Sequence, residues 1–185
     1  MLIEKNKSGL IIIDVQEKLV TAMPKPHKFI DNIIKLQKAA IILDIPITIS
    51  EQYPEGLGPT IDKILQNKSN KMKVCPGKTF FSLYEAGGAH SARDHIICGI
   101  ETHVCVLQSA VDFAEEDDDF YGKGNRNIYV VADATSSRYE KDYLTALSRL
   151  DKHPNIQIVS CEMVLFEWLR TSDHPEFKTI SQLIK

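Results

Sequence analysis

What most restricts the fold of this chain is a set of short, uninterrupted apolar runs that each stop at a polar residue. Leu10-Ile11-Ile12-Ile13 stops at Asp14, Pro46-Ile47-Thr48-Ile49 at Ser50, and Ile128-Tyr129-Val130-Val131 runs to Ala132-Asp133. Such runs read as strands buried on both faces, the pattern of a parallel sheet covered by helices. Between them, apolar residues recur every three or four positions. Phe29, Ile33, Leu36, Ala40 and Leu43 mark one helix; Tyr143, Ala146, Leu147 and Leu150 mark another, over 139–150. Further strands are predicted at 71–74, 95–98 and 155–160. One or two helical turns are predicted at 60–65, a short helix before Gly87-Gly88, a helix at 163–169 and a last short one in the tail 175–185. Strands alternating with helices imply βαβ units. The expected class is therefore α/β: a three-layer sandwich with a mainly parallel six-stranded sheet, Rossmann-like. No repeat or linker divides the chain, so 1–185 reads as one domain.

Composition narrows the function classes. The 185 residues suffice for one sizeable core. The net charge of −3, with no basic face, argues against nucleic acid as a partner. No apolar run approaches the ~20 residues that cross a membrane, and Met1 to Ser8 is a poor secretion signal. A cytoplasmic location is the expectation. The four cysteines, at 75, 98, 105 and 161, lack CxxC spacing, which suits free thiols rather than disulfides or a zinc site. Glu115 to Asp119, followed by Gly122, Lys123, Gly124 and Arg126, reads as a solvated connection or as a docking surface.

Residues 95–110 hold the chemically suggestive stretch. An apolar run passes Gly99 and becomes a pattern with Val104, Leu107, Val111 and Ala114 at helical spacing, which is strand, turn, helix. Cys105 falls in the first helical turn, where free N–H groups and the helix dipole favour a thiolate. The plain alternative is a small buried core residue. In parallel sheets ligands bind beyond the carboxyl ends of the strands. Asp14, Ser50, Glu51, Lys78, the segment Glu101–Cys105 and Asp133 all fall at such ends. A nucleophilic thiol needs a base and profits from a nearby cation; Asp14 and Lys78 can serve. His103 competes for the base role, yet positions i and i+2 of a helix do not face each other.

The motifs Leu10-Ile11-Ile12-Ile13-Asp14-Val15-Gln16, Gly77-Lys78-Thr79-Phe80-Phe81-Ser82 and Gly99-Ile100-Glu101-Thr102-His103-Val104-Cys105-Val106 stand in an order and spacing that resembles the isochorismatase-like cysteine hydrolases. That group includes nicotinamidases and N-carbamoylsarcosine amidohydrolases. Ala132-Asp133-Ala134-Thr135-Ser136-Ser137-Arg138 fits as well, and Ser50 to Gly58 resembles the isochorismatase domain-containing subgroup. The resemblance implies Asp14 as general base, Lys78 as stabiliser of the thiolate and transition state, and Cys105 as nucleophile. It implies a cis peptide at Ile100–Glu101 and an oxyanion hole from the N–H groups of Glu101 and Cys105. It also implies a small-molecule substrate, a thioester intermediate and a homo-oligomer. Gln16, Gln52, Tyr53, Phe80 and Tyr84 are the expected substrate-lining residues. Nicotinamidases carry an Asp-x-His metal motif where this chain has Ser50-Glu51-Gln52-Tyr53, so no metal or other cofactor is expected. Isochorismatases proper cleave a vinyl ether and lack the cysteine, so the superfamily name does not supply a substrate. The other reading is an oligomeric binding or scaffold protein that keeps the fold.

Overall fold

In a computed structural model, the structure describes residues 2–88, 92–115 and 126–185. Six strands form one sheet: β1 (Ser8–Ile13), β2 (Ile47–Ser50), β3 (Met72–Val74), β4 (Asp94–Ile100), β5 (Asn127–Ser136) and β6 (Ile156–Val159). Their order is β3-β2-β1-β4-β5-β6 and every neighbouring pair is parallel, so the sheet is wholly rather than mainly parallel. The chain steps outward from β1 to β3, then returns to β4 and steps the other way. The junction of β1 and β4 is thus a topological switch point, where open parallel sheets bind their ligands.

The apolar runs split by parity, as successive strand residues point to opposite faces. Leu10 and Ile12 enter one core with Ile96, Cys98, Tyr129 and Val131. That core is roofed by α2 (Pro26–Ile42) and α7 (Cys161–Leu169). Ile11 and Ile13 enter a second core with Ile97, Ile128 and Val130, roofed by α5 (Leu107–Glu115) and α6 (Glu140–Leu150). Phe29, Ile33, Leu36 and Ala40 are buried on α2, as their spacing predicts. Shorter helices are α1 (Glu17–Val20), α3 (Pro54–Leu57), α4 (Asp62–Leu65) and α8 (Phe177–Ser181).

Two expectations change, and a third lies outside the described residues. Residues 83–87 form turns instead of a helix before Gly88. β5 does not stop at Asp133. Val130 pairs with Ile97, but Thr135 pairs with Gly99, so the extra residues of β5 bulge out before pairing resumes to Ser136. A bulge of this kind re-aims the end of a strand, and Asp133 on it is exposed. Finally, the acidic and glycine-rich connection falls outside the described residues from 116 to 125. Its last acidic residue within them, Glu115, lies 3.7 Å from His153. Among the described residues, no helix is long and apolar enough to cross a membrane.

Candidate active site

Gly99 brings the two central strands into close contact. It pairs with Ile13 across β1 and β4 and has φ +118°. A Cβ there would sit 2.6 Å from the Ile13 nitrogen and closer still to its carbonyl oxygen, so glycine alone fits. Immediately beyond this contact lie Asp14 on one strand and the turn to Cys105 on the other. Asp14 has a left-handed backbone, φ 49°, a conformation that is uncommon outside glycine. Its N–H donates to the Ser50 carbonyl (3.1 Å).

Lys78 reaches the same point because the chain after β3 goes on pairing alongside the chain after β2. Gln52 and Lys78 form a parallel bridge; the Lys78 N–H donates to the Glu51 carbonyl and the Tyr53 N–H to the Lys78 carbonyl. The Lys78 ammonium donates to Asp14 Oδ2 at 2.8 Å, and the two side chains are 1% and 0% exposed. Nζ also faces Gln52 Oε1 (2.7 Å) and the carbonyls of Phe81 (3.1 Å) and Phe80 (3.3 Å). Four oxygens thus share three protons. Ser50 Oγ donates to Asp14 Oδ1 at 2.7 Å, fully buried. Ser50 stood among the rim residues in the sequence but not among the candidate site residues. The legible signal was its place at the end of β2, in register with Ile13.

The chain enters α5 through a π-helical turn, Thr102–Val106. The N–H groups of Val104 and Val106 donate to the Glu101 carbonyl, with the Cys105 N–H between them in the chain. The Ile100–Glu101 peptide is cis, as the family resemblance implied. The Glu101 carboxylate accepts from the backbone N–H and Nε of Arg138, both at 3.0 Å. Cys105 is 6% exposed. Its thiol lies within electrostatic reach of both Asp14 and Lys78.

The expected ease of ionisation is not found. Burial, first, and the Asp14 charge, second, push the Cys105 thiol up, and Lys78 only partly opposes them. The physical reason is that the cation expected to hold a thiolate is already paired with a carboxylate. Desolvation then favours the neutral thiol. The other three thiols are also raised, chiefly by burial, Cys161 to about 12.

The remaining rim residues divide. His103 turns to Ser137 Oγ (2.9 Å from Nδ1) and toward Asp142 (4.0 Å from Nε2), not to the Asp14 pair. Glu51 Oε1 accepts from the backbone and hydroxyl of Thr60. Asp133 Oδ1 accepts the Cys161 N–H at 2.7 Å, at the start of α7. Of the candidate lining residues, Gln52 and Phe80 touch Lys78, while Tyr53 and Phe80 are 57% and 58% exposed. Tyr84 packs edge-on against Phe113, with ring centroids 5.7 Å apart. Gln16 is fully buried, donating to the carbonyls of Gln52 and Gly58 and accepting the Gln52 N–H. It shapes the loop that carries Gln52. Among the described residues, no three His, Cys, Asp or Glu side chains gather as a metal would need.

Comparison with known proteins agrees with this architecture. Mouse isochorismatase domain-containing protein 2A is 32% identical over 179 residues, spanning 96% of this chain and 82% of the mouse protein. The structure named MAR1 ribonuclease from Caenorhabditis elegans superposes with a TM-score of 0.87 at 31% identity, covering all of this chain and 92% of that one. The YcaC gene product of Escherichia coli, described as an octameric hydrolase of unknown specificity, has a TM-score of 0.84. It is 21% identical and covers 100% of this chain and 89% of its own. The sequence matches the family model for the isochorismatase domain over residues 8–162. With six parallel strands, a site at their switch point and this match over most of its length, the chain belongs to the isochorismatase family of hydrolases.

Proposed function

We propose that this protein is a cysteine hydrolase acting on a small amide, carbamoyl compound or ester through a thioester. The observation that carries the reading is the buried Asp14–Lys78 pair facing the Cys105 thiol at the β1–β4 switch point. A resting neutral thiol suits proton transfer to a base during attack rather than a standing thiolate. Cys105 Sγ attacks the carbonyl carbon while its proton passes to Asp14. The carbonyl oxygen becomes an oxyanion held by the N–H groups of Glu101 and Cys105. The tetrahedral species collapses, the C–N or C–O bond breaks, and the leaving amine or alcohol takes the proton from Asp14. Water then gives a proton to Asp14 and attacks the thioester, releasing the acid and restoring the thiol. Lys78 pairs with Asp14 in its buried position and holds it in place. Gln52, Tyr53 and Phe80 would meet the substrate at the mouth; Gln16 and Tyr84 would support them from behind. The octameric E. coli relative supports a homo-oligomer here as well.

The test is hydrolysis of a panel of small amides, carbamoyl compounds and esters, with Cys105→Ala and Asp14→Asn as controls. Turnover lost in both variants is expected, together with a mass shift at Cys105 when a slow substrate is trapped. Turnover that survives Cys105→Ala would remove the reading. A short RNA added to the panel checks the activity named for the C. elegans neighbour, against which the net charge of −3 weighs. A protein that turns over nothing and leaves Cys105 inert would instead favour the scaffold reading. Light scattering after size exclusion measures the oligomer.

A further inference from the structure

We infer that Ser50 is a positioning residue for Asp14, one that fixes the orientation of its carboxylate. This rests on the proposed role of Asp14 as the base for Cys105. Ser50 grips Asp14 twice: its carbonyl accepts the Asp14 N–H at 3.1 Å, and its hydroxyl donates to Oδ1 at 2.7 Å. The other carboxylate oxygen, Oδ2, is held by Lys78 at 2.8 Å. The carboxylate is therefore clamped at both ends and cannot turn without breaking a buried hydrogen bond. Each oxygen keeps one lone-pair direction beyond its donor, which leaves room for the thiol proton.

The division of labour follows from the Lys78 environment. Its three protons are shared among four oxygens, and its loop is locked by the Gln52 bridge. Lys78 supplies charge from a fixed place. Ser50 is the neutral donor, which fixes the direction of the carboxylate without adding net charge. The titratable groups that face Asp14 are Lys78, from the loop after β3, and Cys105, from the turn after β4; Glu101 on the same turn is held away by Arg138. Removing the Ser50 hydroxyl should therefore free the carboxylate to turn and slow proton transfer from Cys105.

The experiment follows the rate of carbamidomethylation of Cys105 by iodoacetamide, located by peptide mass mapping, at neutral pH on the full chain. In this step a C–S bond forms, iodide leaves, and the thiol proton passes to Asp14 and then to water. The variants are Ser50→Ala, the matched pair Ser50→Thr and Ser50→Val, and Asp14→Asn, with thermal unfolding of each. The Thr and Val variants share a shape and differ in the hydroxyl, so their contrast survives a folding defect common to both. The rate should fall about tenfold or more in Asp14→Asn. It should fall several-fold in Ser50→Ala and Ser50→Val, and return in Ser50→Thr. A wild-type rate in Ser50→Val, while Asp14→Asn still slows the reaction, would reduce Ser50 to a space-filler and overturn the inference alone. A rate untouched by Asp14→Asn would overturn the base role of Asp14 first, and this inference with it.

Discussion

Cys105 and Cys161 invite comparison. Each lies at the start of a helical segment that follows a strand, each is buried, and each has an aspartate beside it that raises its thiol. They differ in what holds the aspartate. Beside Cys105, Asp14 is fully buried and held by Lys78 and Ser50. Beside Cys161, Asp133 is exposed on the β5 bulge and spends Oδ1 on the Cys161 N–H, while the Cys161 thiol faces the Asn32 carbonyl at 3.6 Å. Asp133 with its neighbour is a helix-capping arrangement; Asp14 is held as the proposed base role requires. A helix start next to a carboxylate is therefore not enough to identify a nucleophile. The donors that fix the carboxylate make the difference.

The largest expected contrast is in turnover. Cys105→Ala should bring hydrolysis of any substrate found in the panel to background, whereas Cys161→Ala should leave kcat/KM within about twofold, since surface and small core changes away from the site seldom touch the chemistry. Loss of turnover in both would erase the distinction between the two sites.

Stability should separate them next. Lys78→Met leaves the Asp14 carboxylate buried without its cation, which costs about 3–5 kcal/mol where one partner of a buried pair is removed. Urea unfolding measures it. Adding Asp14→Asn to Lys78→Met should recover part of that loss, because the stranded charge is gone. Asp133→Ala removes an acceptor at the start of α7 and should cost about 0.5–2 kcal/mol, in the range of helix caps. Equal costs at the two aspartates would contradict the burial argument.

The smallest expected effect is on alkaline stability. Cys161 is raised from about 9 to about 12 in the folded protein. Its contribution to stability is fully present below pH 9. It is lost as pH rises toward 12, because the unfolded chain gives up the thiol proton while the folded chain keeps it. Cys105 is raised in the same direction. Cys161→Ala should therefore flatten the fall in unfolding free energy above pH 9, read from urea midpoints between pH 8 and 11. An unchanged slope would mean that this thiol is not held neutral by burial.

Much of the fold and part of the site are legible in the chain. Ser8–Ile13 and Pro26–Ile42 lie where the apolar run and the three-to-four periodicity place them, because burial on two faces or on one stripe leaves a local imprint in residue order. The rim positions of Asp14, Lys78 and Cys105 follow from the same imprint, since each comes just after a strand. The end of β5 does not follow, because no periodicity in its own residues marks the shift in pairing between Val130 and Thr135.

Most of the order of strands and helices, the class of the sheet and the place of Asp14, Lys78 and Cys105 near its carboxyl end were determined by sequence alone, through periodicity and punctuation. What each rim residue does was decided only in three dimensions. Ser50 reaches Asp14 across 36 residues and Lys78 across 64, distances over which no local pattern operates. The raised Cys105 thiol depends on loss of water and on a neighbouring charge. Both are properties of the packed interior, where a cation already spent on one carboxylate has little left to lend a thiol.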